Sequence, residues 1–255
     1  MMLRFLFIAA LCLPAIGYAD AGPWERIDPA RELLGESKPE IGALTLDLPA
    51  VTQDGSSVTL KVSLDRRQRS DTVIEALYLF TTGNPAPELA EFHFGPAAGP
   101  LDLETRIRLD RSQQVFALAR TADDRWLAGV RDVRVTVSGC LAEGTGSLDD
   151  DFMLARVRGP SRFRADRPSE IRAMIRHPME TGLREDPQGQ TIPRRIVEQL
   201  DVSIEGEQVL QARFHPAIAA HPYLRFHIAA GLEGELELEW RESGGERAES
   251  RISIP

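Results

Sequence analysis

Short runs of alternating apolar and polar residues fill most of this sequence and constrain its fold more than any other feature. Alternation with a period of two is typical of strands that bury one face. Clusters of Gly, Pro, Asn and Asp separate the runs, and the segments EGE (205–207) and ESGGE (242–246) predict hairpin turns. The pattern predicts an all-β protein of low helix content. In chain order the runs are ALTLDLP, SVTLKVSL, TVIEALYLFTT, ELAEFHFG, LETRIRLD, QQVFALART, DVRVTVSG, FMLARVRG, EIRAMIRH, RRIVEQLDVSIEG, EQVLQARFH, YLRFHIA, GELELEW and RAESRISI.

The runs form two groups, each large enough for one antiparallel sandwich. The first group ends in DVRVTVSG, and the small, polar segment LAEGTGSL (141–148) predicts a linker to the second. We therefore predict one domain at 20–148 and another at 149–255. A single short helix is predicted ahead of the strands, in PARELLGE (29–36), ending near Gly35.

The chain begins with the features of a secretory signal peptide. Arg4 precedes an apolar run, and small residues follow around Ala19. The apolar run is shorter than the roughly 20 residues that span a bilayer. We expect cleavage after Ala19, with Ala21 as the alternative, and export of a soluble protein to the periplasm. The formal net charge of −9 argues against a nucleic-acid binder.

Cysteine usage singles out one residue. Of the two cysteines, Cys12 lies in the predicted signal peptide, which leaves Cys140 alone. A single thiol in an oxidising compartment indicates either a reactive group or an intermolecular disulfide. The alternative is a buried cysteine that acts as a small apolar residue. Gly139 precedes it and small residues follow, which favours an accessible thiol at the end of a strand.

The histidines give weaker signals. The even spacing of His215, His221 and His227 is compatible with a metal site, but prolines break the segment into separate elements, and no metal site is predicted. The segment HPMETG begins with His177, Pro178, Met179 and Glu180, for which two readings stay open. It is either a strand end followed by a turn or a docking site for another protein.

The second half resembles SoxZ, a subunit of the periplasmic sulfur-oxidation system. The resemblance rests on HPMETGLR (177–184), the Ile-Pro pair at 192–193 and AHPYLRF (220–226), and it extends over nearly the whole domain. His221 stands where that family usually has asparagine.

The first half resembles SoxY, the partner subunit, from WERIDPARELLG through VRVTVSGC. SoxY ends in a Gly-Gly-Cys-Gly-type arm whose cysteine carries sulfur intermediates covalently. The resemblance implies that Cys140 is the carrier thiol, with Ser138, Gly139 and Leu141 as the flanking arm. Ser138 and Leu141 replace glycines, and here the arm continues into the second domain. The arrangement resembles fused SoxYZ-like carriers associated with quinoprotein dehydrogenases.

The resemblance implies two immunoglobulin-like sandwiches packed as a pseudo-heterodimer. It also implies a periplasmic carrier without turnover of its own and without a cofactor. Its thiosulfate-derived cargo on Cys140 would be processed by partner sulfur-oxidation enzymes. The alternative is a binding or assembly module for a periplasmic quinoprotein (PQQ) alcohol dehydrogenase or its c-type cytochrome, in which Cys140 is a relic.

Overall fold

A computed structural model describes residues 22–68, 71–137 and 151–255. The predicted signal peptide (1–19), the predicted linker (141–148) and the residues Ser138, Gly139 and Cys140 lie outside the described residues. Strands make up 51% of the protein and helices 5%, which confirms the all-β prediction.

One short helical segment precedes the strands, as predicted. It consists of a 3-10 turn, Pro23–Arg26, and the helix α1, Asp28–Leu34. Gly35 ends the helix with a φ of 56°, a left-handed conformation that glycine adopts without steric cost. Trp24, Ala30 and Leu34 are buried and pack on the outer face of the larger sheet against Phe80 and Phe116.

The strands follow the alternating runs closely. In the N-terminal half they are β1 (Glu40–Ile41), β2 (Leu44–Asp47), β3 (Val51–Thr52), β4 (Val58–Leu64), β5 (Ile74–Thr81), β6 (Glu88–Phe94), β7 (Asp102–Ile107), β8 (Gln113–Thr121) and β9 (Trp126–Val135). In the C-terminal half they are β10 (Ala155–Arg158), β11 (Ser169–Ile175), β12 (Val197–Ile204), β13 (Glu207–Phe214), β14 (Tyr223–Ile228), β15 (Gly234–Glu242) and β16 (Arg247–Ile254).

Two sheets run through both halves of the protein. The larger has the order β1-β9-β8-β5-β6-β13-β12-β15-β16, with β3 also paired to β9. The smaller has the order β10-β11-β14-β7-β4-β2. The halves join where β6 pairs with β13 and β7 pairs with β14, both antiparallel. We call these two strand pairs the seam. Because each half saturates an edge of the other, strands that would otherwise be exposed edges become interior ones.

The hydrophobic core is also continuous across the seam. Buried apolar residues from β2 to β9 and from β11 to β16 form one cluster between the two sheets. Phe92 of β6 packs edge-on against Phe214 of β13, with ring centroids 6.3 Å apart, and Phe214 stacks on Trp240. The two sandwiches are therefore in tandem in sequence but share one interior.

Candidate functional site

The last strand of the N-terminal half leads toward Cys140 along a well-defined path. After β9, the Thr136 N–H donates to the Thr52 carbonyl (3.1 Å), and the Gly55 N–H donates to the Val137 carbonyl (2.9 Å). The Val135 N–H donates to the Ser112 hydroxyl (3.0 Å). Val137, three positions before the cysteine, is 60% exposed. The backbone is thus held up to the residue at which the predicted arm begins.

The chain is held again after the predicted linker, from Asp151 onward. The Asp151 carboxylate accepts from Arg176 at 2.7 Å. The Met153 N–H donates to the Arg176 carbonyl, and the Arg176 N–H donates to the Leu154 carbonyl. The Arg195 guanidinium carbon lies 4.4 Å from the centroid of the Phe152 ring. The centroids of the Phe152 and His177 rings are 5.2 Å apart. A cation over an aromatic face is attractive, so Phe152 anchors this return point.

The two anchor points lie at the same end of the sandwich, and Arg108 connects them. The Leu109 N–H donates to the Gly55 carbonyl, beside Val137. The neighbouring Arg108 side chain is 3% exposed and donates to the Met179 carbonyl (2.6 Å) and the Pro178 carbonyl (3.0 Å). We call this region, comprising residues 52–57, 108–112, 136–137, 151–154 and 176–180, the stem end. It contains both flanks of the Cys140 segment and the HPMET motif.

His177 is the centre of a buried polar group at the stem end. The His177 ring Nδ1 accepts from the Met179 backbone N–H at 3.0 Å, and the His177 backbone N–H donates to Nδ1 of His221 (3.2 Å). Because Nδ1 accepts, the neutral ring carries its hydrogen on Nε2. That nitrogen lies 4.0 Å from Oε1 of Glu242 and makes no hydrogen bond.

Burial controls the charge of His177. The side chain is fully buried, and burial lowers its pKa from 6.5 to about 4, although the Glu242 carboxylate acts in the opposite direction. Arg195 donates to the Glu242 carboxylate at 3.1 Å and offsets its negative charge from the solvent side. His177 is therefore neutral near pH 7 and acts as a fixed acceptor for the backbone of the HPMET turn.

The four residues of the docking hypothesis differ in accessibility. His177 and Met179 are 1% and 0% exposed, whereas Pro178 and Glu180 are half-buried. Met179 has a φ of 53°, so the segment makes a sharp turn that Arg108 and His177 hold from within. These contacts account for the motif by folding alone. A docking role stays a prediction, and only Pro178 and Glu180 offer surface for it.

The sequence alone did not predict the roles of Arg108, which lies in the stem end, or of Arg195 and Glu242, which pack against it. They come from β7's end, the loop before β12 and the end of β15, and no local spacing links them. Only the pairing of strands across the seam brings Arg108 to the turn at Met179.

The described residues form a two-part β-sandwich protein whose stem end holds both flanks of the Cys140 segment. Comparison with known families agrees with the two halves. The family "Sulfur oxidation protein SoxY" matches residues 30–140, and the family "Sulphur oxidation protein SoxZ" matches residues 157–253. The chain belongs to these families as a fused SoxYZ-like protein. Membership supports a role as a carrier in sulfur oxidation rather than as a catalyst.

Similar solved structures include the sulfur carrier protein SoxY from Chlorobium limicola f thiosulfatophilum. It is 20% identical, the match covers 43% of this chain and 94% of that chain, and the TM-score is 0.36. A superoxide reductase (neelaredoxin) from Ignicoccus hospitalis is 14% identical, with coverage of 36% and 80% and a TM-score of 0.32. No curated protein sequence matches the chain. Among the described residues, no helix is long and apolar enough to cross a membrane.

Proposed function

We propose that this protein is a periplasmic carrier that bears thiosulfate-derived sulfur intermediates covalently on Cys140 for processing by partner enzymes. One observation carries the proposal: the SoxY family match ends at residue 140, so the lone predicted mature thiol occupies the last matched position. The SoxZ match then begins at residue 157, after the anchor formed by Phe152.

The stem end supports this role mechanically. Val137 and Asp151 are both tied to the sandwich, and thirteen residues, 138–150, lie between them. A carrier group must be presented to several enzymes in turn, while its domain stays intact. Here the backbone contacts of Val137 and the packing of Phe152 anchor the two flanks of the segment that carries the thiol. A partner enzyme could therefore recognise the same two flanks in every cycle.

Loading requires an oxidation. The Cys140 thiol loses its proton, its sulfur forms a bond to the terminal sulfur of thiosulfate, and two electrons leave to a partner c-type cytochrome. The product is a cysteine S-thiosulfonate. A partner hydrolase then adds water across the bond between sulfur and the sulfonate group, which releases sulfate and a proton and leaves a persulfide on Cys140. The thiolate is the reactive form, so loading is favoured by conditions that deprotonate the thiol.

Mass spectrometry of the protein purified from its native periplasm tests the proposal. We expect adducts of sulfane or thiosulfate-derived mass on the peptide that contains Cys140, and we expect a reductant to remove them. The variant Cys140→Ser should show none, because the hydroxyl forms no disulfide-type bond with sulfur. In the folded protein, Cys140 should also react with a thiol reagent.

Two outcomes would contradict the carrier role. The first is a Cys140 that stays unmodified in cells growing on thiosulfate and does not react with a thiol reagent in the folded protein. The second is a Cys140→Ser strain with unchanged phenotype whose protein still co-purifies with a quinoprotein dehydrogenase. The second result would favour the assembly-module hypothesis.

A further inference from the structure

Three metal-ligating side chains meet on the outer face of the larger sheet, remote in sequence from Cys140. They are Glu88 and Glu91 of β6 and His215, which directly follows β13. One ligand atom from each lies within 4.8 Å of the other two, and all three residues are half-buried. The two glutamates belong to the SoxY-like half and the histidine to the SoxZ-like half, so the group straddles the seam.

A β-bulge creates this arrangement. In a regular strand, residues three apart point to opposite faces. In β6 the register against β5 shifts: Ala90 pairs with Leu79, but Glu88 pairs with Phe80, so Leu89 is an extra residue. The extra residue puts Glu88 and Glu91 on the same face. Bulges commonly re-aim side chains near functional sites.

His215 is fixed with its ring toward the glutamates. Its N–H donates to the Leu89 carbonyl (3.0 Å), which ties it to the bulge. Its Nε2 is buried and lies 3.5 Å from Oε1 of Glu91, at the limit of a hydrogen bond. A buried ring nitrogen held by one long contact is poorly satisfied, and an ion between it and the carboxylate would satisfy it better. Arg213 and His93 also approach Glu91, each at 3.9 Å; Arg213 is largely exposed and His93 is half-buried.

The surroundings leave room for an ion with open coordination positions. A groove of about 250 Å³ lies between α1 and the sheet, and Glu88, Glu91 and Tyr78 contribute to its wall. Two atoms bound to one zinc ion lie about 3 to 4 Å apart, since zinc–nitrogen and zinc–oxygen bonds are about 2.0–2.2 Å. Small side-chain rotations of the two glutamates would achieve this spacing.

We propose that Glu88, Glu91 and His215 form a site for a divalent transition-metal ion, with Zn²⁺ as the best-matched probe, that links the two halves of the protein across the seam. One imidazole nitrogen with two carboxylates suits zinc and similar ions, whereas Ca²⁺ and Mg²⁺ take oxygen ligands. The spacing of the histidines in the sequence did not predict this site, because two of its ligands, Glu88 and Glu91, lie in the SoxY-like half.

Equilibrium dialysis with ZnCl₂ tests the site, using the full mature chain with Cys140→Ser so that the thiol binds no zinc. We expect one Zn²⁺ per chain and a rise in Tm of several degrees, because a ligand that binds only the folded state stabilises it. His215→Ala and Glu91→Gln should each weaken binding at least tenfold and abolish the Tm rise. Should His215→Ala fail to fold, the near-isosteric Glu91→Gln decides.

The matched control is His93→Ala, which removes another histidine next to Glu91 but not a member of the group. It should bind Zn²⁺ within about twofold of the parent. The proposal is wrong if the parent binds no zinc, if Glu91→Gln binds like the parent, or if His93→Ala loses as much affinity as His215→Ala. Equal binding of Ca²⁺ at the same residues would overturn the transition-metal assignment.

Discussion

Replacing Arg225 by methionine is expected to lower the free energy of unfolding by about 2–3 kcal/mol, between the ~0–1 kcal/mol of exposed ion pairs and the ~3–5 kcal/mol for breaking a fully buried one, because its partner Asp102 is 43% exposed. Arg225, on β14 of the SoxZ-like half, is only 12% exposed in its side chain. Across the seam it donates to Asp102 (2.8 Å) and Glu104 (3.1 Å) of β7, and within its own half to Glu170 (3.2 Å).

The loss is large because three carboxylates share this one guanidinium. Its hydrogen bonds hold the pKa of Asp102 below the usual range, which shows that the ionised form is favoured there. Without Arg225, Asp102, Glu104 and Glu170 would repel each other at the seam. There β7 and β14 form two residue pairs, Leu224 with Thr105 and Arg225 with Glu104, so the ion group lies directly on their pairing. The substitution therefore weakens the junction of the two halves directly.

Urea denaturation at neutral pH measures this effect, and Arg251→Met is the matched control. Arg251 also lies near three carboxylates, those of Glu235, Glu237 and Glu249, but its side chain is 52% exposed. Exposed pairs of this kind contribute about 0–1 kcal/mol. Arg225→Lys should fall between the parent and the methionine variant, since an ammonium keeps the charge but not the forked geometry. Equal losses for Arg225→Met and Arg251→Met would refute the argument.

The sequence predicted the strands well because most of them bury one face only. It missed the first half of β9, WLAGV, where Leu127, Ala128 and Gly129 are all buried and no alternation exists. The strand is covered on both faces there: Leu127 belongs to the central core and Ala128 to the cluster with α1. Gly129 is required by close approach, since a Cβ at this position would lie 2.5 Å from the Leu44 carbonyl oxygen.

The seam could not be predicted from local patterns. The alternation in β6 and β13 does not indicate that these strands pair with each other rather than remain edges of separate sandwiches. The same limit applies to the candidate site. Cys140 stands out by composition and position, but Arg108 and Glu242 matter only through contacts that the pairing of distant strands creates. The bulge at Leu89 likewise becomes visible only when the register against β5 is known.

Acidification is expected to destabilise the protein through His177, by about 3 kcal/mol in total between pH 6.5 and pH 4. Burial lowers the pKa of His177 from 6.5 to about 4 in the folded protein. In this window the unfolded chain binds a proton at this residue and the folded protein does not. The contribution of the neutral ring is thus complete above pH 6.5 and is lost as the pH falls through the window, with a slope of up to about 1.4 kcal/mol per pH unit.

His177→Asn isolates this contribution, because the asparagine carbonyl can accept from the Met179 N–H as Nδ1 does but cannot take a proton. The measurement is the free energy of unfolding by urea at several pH values from 7 to 4. The variant should be less stable at pH 7, since its smaller side chain leaves space beside Phe152, but its stability should fall less steeply with acid. All other side chains are the same in both proteins, so the difference between the two slopes belongs to His177. Parallel curves would mean that its ring becomes protonated in the folded state near its ordinary pKa, which its complete burial and the missing hydrogen bond at Nε2 argue against.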